Sequence, residues 1–155
     1  MKSEDSFKDG AHILTEVLNK TGMYCGLTTG VSMEPLIHHQ KDTIIVKKTD
    51  GRLNKYDIPV YVLKTGKVVM HRIVKVYPDY YDVYGDNTCV CERVTDDMIV
   101  GKLVGFYKNG KKYIDLDKNK MYKFYSKIWV ALVPLRPFTM FLNRGVRFIK
   151  RKLLK

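Results

Sequence analysis

No acidic residue follows Asp117, although residues 118–155 hold 11 of the chain's 28 lysines and arginines. The first 117 residues are left with 17 basic against 16 acidic side chains, so nearly all of the net charge of +12 belongs to the C-terminal segment. Long apolar runs are also missing. The stretch 128–133 is soon broken by Pro134, Arg136 and Pro137, and the apolar positions near the N-terminus are interrupted by Asp9, Glu16 and Lys20. A membrane-spanning helix needs about 20 consecutive apolar residues, so neither end reads as a spanning segment, and no cleavable signal is read at the start. The four histidines (His12, His38, His39, His71) and three cysteines (Cys25, Cys89, Cys91) fall in no metal-binding spacing, and Cys89 and Cys91 are one residue too close for a Cys-x-x-Cys motif. A zinc site is excluded on this reading, no other cofactor is implied, and the cysteines fit a reducing compartment. Repeats and low-complexity tracts are absent too, and 155 residues with 45% hydrophobic content suit one compact domain plus an appendage.

What is present is concentrated in a few short frames. Residues 30–35 read Gly-Val-Ser-Met-Glu-Pro, and residues 68–73 read Val-Val-Met-His-Arg-Ile. A serine hydroxyl is a weak nucleophile at neutral pH and needs a base within hydrogen-bond reach, which a neutral imidazole supplies. Gly30 permits a tight backbone approach to Ser32, Pro35 stiffens the chain beyond it, and Met33 can pack inward while Ser32 points out. Further on stand Gly85-Asp86-Asn87 and Ile99-Val100-Gly101-Lys102. Asp86 has two readings: it orients His71 as triad aspartates do, or it caps the turn. His38 and His39 read as a solvated loop or as residues bordering a cleft.

These four frames, in this order across residues 28–107, resemble the boxes of the type I signal peptidase superfamily, which also contains the self-cleaving SOS-response repressors. The resemblance implies a coiled, antiparallel, mainly β peptidase domain. It also implies Ser32 as nucleophile and, because the base position holds His71 rather than lysine, the Ser/His branch found in endoplasmic-reticulum, archaeal and sporulation-type members. The candidate catalytic residues are therefore Ser32, His71 and Asp86. The implied substrate is an extended leader or signal-like peptide cut after small residues. The alternative is a non-catalytic or self-processing regulatory module on the same fold, associated with nucleic acid in one version.

Around the frames, Phe7, Ala11, Leu14 and Leu18 recur at helical spacing, which predicts a helix over 4–20. Alternating or β-branched stretches predict strands over 43–48, 56–63, 67–76, 80–84, 100–107 and 112–116, with Asn109-Gly110 as a hairpin turn. The organisation that follows is an N-terminal helix (1–22), a catalytic β domain (23–117) and a basic amphipathic helical tail (118–155). In the tail, Phe138, Phe141, Leu142, Ile149 and Leu153 form an apolar stripe beside Arg144, Arg147, Lys150 and Arg151. Such a segment suits an anionic membrane surface; the other reading is that its apolar face packs on the domain or on a second copy. Nucleic acid is disfavoured, since 1–29 is too short for a helix-turn-helix. The expected location is cytoplasmic, peripheral at the membrane.

Overall fold

A computed structural model describes the chain from residue 2 to residue 136, with side chains from residue 9. Among these residues, helix α1 (Lys2–Thr21) precedes nine strands: β1 (Met23–Leu27), β2 (Thr43–Lys47), β3 (Pro59–Val62), β4 (Val68–Met70), β5 (Arg72–Val76), β6 (Tyr81–Tyr84), β7 (Glu92–Val94), β8 (Ile99–Lys108) and β9 (Lys112–Asp115). Helix α2 (Lys120–Ala131) and a short 3-10 turn (Val133–Leu135) follow. The described residues are mainly β, with all strand pairs among them antiparallel.

The strands form two sheets. In the larger, the order is β1-β2-β8-β3-β4, with β9 also pairing β8; in the smaller it is β5-β6-β7. Strand β8 is the spine of the large sheet. It pairs β2 and serves both β3 and β9 at different points along its ten residues. Register shifts at Ile45/Val46 and Val60/Tyr61 interrupt its ladders, and such bulges raise the local twist, which suits a curled sheet. The β8–β9 hairpin turns through Asn109 and Gly110, both at positive φ, as the Asn-Gly pair predicts.

Two cores hold this arrangement. Leu14 and Leu18 of α1 bury against Val46, Val60, Leu103 and Phe106 of the large sheet, together with Met33 and Ile37. The other core joins the sheets: Tyr61 of β3 packs with Ile73, Tyr81, Val83 and Val94 of the small sheet, and with Leu53. The stretch 67–76, read from sequence as one strand, is two. Its first part pairs within the large sheet and its second within the small one, and His71 is the single residue between them.

Helix α2, read as the start of a tail, is bound to the β body. Asn119 caps it, its side chain accepting from the Tyr122 N–H at 3.0 Å. Tyr122, Tyr125, Ser126 and Trp129 then hydrogen-bond to Arg72 and Asp86. The apolar stripe from Phe138 and the basic positions from Arg144 lie outside the described residues. Among the described residues, no helix is long and apolar enough to cross a membrane.

Candidate active site

Ser32 lies in a turn between β1 and β2. The turn is fixed from below by Met33 and Ile37, which are buried in the large-sheet core, with the Ile37 N–H donating to the Met33 carbonyl at 3.0 Å. It enters through Gly30 at φ 96°, a conformation that favours glycine. The Gly30 N–H donates to His39 Nδ1 at 2.9 Å, so His39 staples the entry of the turn. His38 lies 3.4 Å from the buried Asp42 carboxylate, which also accepts the His38 and Asn109 backbone N–H groups, both at 2.8 Å. The two histidines therefore anchor the serine loop.

Asn87 holds the turn from the other side. Its backbone N–H donates to the Ser32 carbonyl at 2.7 Å, and its side-chain amide to the Val31 carbonyl at 3.2 Å. Among the described residues, no hydrogen bond of the Ser32 N–H to a backbone carbonyl is found. Gly85 is bordered by the backbone of Ser32 and by the ring of His71. A methyl group placed on it would lie 2.7 Å from the Ser32 carbonyl oxygen and 3.0 Å from His71 Nε2. Both residues thus border Gly85, and only the absence of a side chain there permits the approach.

His71 is 6% exposed. Its Nδ1 lies 3.0 Å from the Tyr61 hydroxyl and 3.5 Å from a Glu92 carboxylate oxygen, and the Tyr61 hydroxyl donates a short hydrogen bond to that same carboxylate. Because the phenol's one proton points to Glu92, its oxygen accepts from His71 Nδ1–H, and the network assigns the lone pair to Nε2. That is the nitrogen bordering Gly85, which the Ser32 carbonyl oxygen also borders. Burial pushes the His71 pKa below its ordinary 6.5, helped by Lys67 and opposed by Glu92 and Asp86. Burial, then the bond to Glu92, pushes Tyr61 far up, so it remains a phenol.

Asp86 faces elsewhere. Both its oxygens accept from Arg72, Nε to Oδ1 at 2.8 Å and a terminal nitrogen to Oδ2 at 2.7 Å, and Tyr125 donates to Oδ2 at 3.0 Å. Arg72 is buried, and Tyr122 at 2.8 Å and Ser126 at 2.7 Å accept from its remaining nitrogen. Trp129 donates to the Asp86 carbonyl at 2.9 Å and Arg136 to the Gly85 carbonyl at 2.9 Å. These carboxylate contacts are neither a hydrogen bond to His71 nor a cap on the turn: they join the Gly-Asp-Asn turn to β5 and α2, and Asp86 reaches His71 as a nearby charge.

The groups behind His71 were not legible in the sequence. Tyr61 reads there as one more aromatic in an alternating strand, and Glu92 as one acid in a loop. Among the described residues, no cluster of three histidine, cysteine or carboxylate side chains could hold a metal ion. No family model and no curated protein matches the chain.

Proposed function

We propose that the chain is a serine endopeptidase of the signal-peptidase type, acting through Ser32 and His71 on a coiled β-sheet peptidase fold. The observation that carries this reading is the common border at Gly85: the unprotonated Nε2 of a buried histidine and the backbone of a serine turn meet where no other side chain fits. Ser32 Oγ attacks the scissile carbonyl carbon while His71 Nε2 takes its proton. The tetrahedral oxyanion receives the Ser32 N–H as one donor. Its collapse breaks the C–N bond, and His71 returns the proton to the leaving amine. Water, deprotonated by the same nitrogen, then cleaves the ester and restores the hydroxyl. The imidazolium formed in each half is stabilised by Glu92, with Tyr61 accepting from Nδ1–H. By resemblance the substrates are extended leader or signal-like peptides with small residues before the cut.

Mass spectrometry of a peptide library rich in such sequences, incubated with wild type or Ser32→Ala, tests this. Cuts clustered after small residues that vanish in the variant are the expected result. No cut by the wild type, or cuts that persist in the variant, overturns the reading and favours a binding module.

A further inference from the structure

Helix α2 has two faces of different chemistry. The inner one is committed to Arg72 and Asp86 through Tyr122, Tyr125, Ser126 and Trp129. The outer one carries Met121, Phe124 and Ile128, and Leu132 at the C-cap and Leu135 in the following turn extend it. All five are exposed, Met121 at 83% and Phe124 at 67%. Their spacing of three and four residues places them in one stripe. Lys120, Lys123 and Lys127, also exposed, each precede one of these apolar residues. No Asp or Glu occurs anywhere from residue 118 onward.

A stripe of large apolar side chains lined by lysines, with no acid, matches a partner that is apolar and anionic together. The interfacial zone of an anionic bilayer is such a partner: it takes Met, Phe, Ile and Leu into the acyl boundary while headgroups pair with the lysines. Nucleic acid would use the lysines but not the stripe. Twelve residues make a helix about 18 Å long, too short to cross and suited to lying flat.

We propose that the outer face of α2, with the Val133–Leu135 turn, docks on an anionic lipid bilayer. This goes beyond the peptidase reading and does not rest on it. Because the inner face of the same helix is hydrogen-bonded to Asp86, docking would hold the Gly-Asp-Asn turn about one helix diameter, ~10 Å, from the lipid.

Flotation of the full chain with vesicles of phosphatidylcholine, with or without phosphatidylserine, tests the proposal. The variants are Met121→Glu/Phe124→Glu and Lys120→Gln/Lys123→Gln/Lys127→Gln, all at exposed positions, with circular dichroism checking that each folds. The wild type is expected to float with the anionic vesicles and much less with the neutral ones. Partitioning should fall about 10²-fold in the lysine variant, at about 1 kcal/mol for each lysine near the surface, and the Glu pair should abolish it. The proposal is overturned if the wild type stays at the bottom or floats equally with neutral vesicles. Variants that float as well as the wild type also overturn it, since binding would then belong to residues 137–155. So does a dimer that dissociates on Phe124→Glu while nothing floats, since a second copy would then own the face.

Discussion

Tyr61 carries one proton and has two partners, and that arithmetic decides which nitrogen of His71 is basic. Substituting Phe removes the acceptor of Nδ1–H while keeping the ring in its core. In a functioning peptidase kcat should then drop on the order of 10²-fold with KM little changed, because the imidazole loses its fixed tautomer. Glu92→Gln separates charge from hydrogen bonding. Since His71 must be neutral to act, turnover is retained above its folded pKa and lost as pH falls through it, at a pH below 6.5. Glu92 opposes the downward shift, so its neutralisation should move this acid limb to still lower pH. Nitrogen-15 spectra of His71 should report the Nδ1–H tautomer in the wild type and a mixture in Tyr61→Phe. Unchanged spectra and pH profiles in both variants would deny the relay. Ser32 and His71 could be singled out as candidates because each sits in a contiguous frame. Tyr61 and Glu92 were not, because only the pairing of distant strands brings them to the imidazole.

Among the elements, the turn at Gly85 leaves no room for a side chain between the serine turn's backbone and the His71 ring. Gly85→Ala would push a methyl group against the Ser32 carbonyl oxygen and His71 Nε2. Misplacements of about 1 Å can cost about 10²-fold in rate. A loss of that order in peptidase turnover, with the fold retained by circular dichroism, is expected; wild-type turnover would mean that the serine turn can move aside freely. Most strands were readable from alternation, and the β8–β9 turn from Asn109-Gly110. Strand β1 was missed because its apolar residues, Met23, Cys25 and Leu27, sit on the exposed positions of an edge strand. Strand β7 was missed because three residues hold no period. The break at His71 was invisible for another reason. A chain that leaves one sheet for another keeps its β-branched composition on both sides of the step, so composition carries no mark of the change.

Across the whole molecule, Arg72 and Asp86 form the junction that ties β5, the Gly-Asp-Asn turn and α2 into one body. Asp86→Asn leaves the buried guanidinium without its countercharge and should cost about 3–5 kcal/mol in urea denaturation. Replacing both partners, as Arg72→Met/Asp86→Leu, should recover part of that loss, because no charge is then stranded. A loss in the double variant equal to or greater than that in the single one would show that the hydrogen bonds to α2, rather than the buried charge, set the cost. The helix was foreseen by its composition only as part of a tail. Its attachment was not, because the groups that hold it are aromatic hydroxyls and an indole, whose partners lie some 40 to 50 residues earlier. The step at His71 has one more implication. A residue shared by two sheets belongs to neither alone, so a small rotation of one sheet against the other changes the separation between imidazole and serine while leaving every ladder intact. In the proposed peptidase, whatever stiffens the seam between the sheets, the Tyr61 core included, would therefore set the precision of proton transfer as well as the melting temperature, and loosening that seam should be felt in turnover before it is felt in stability.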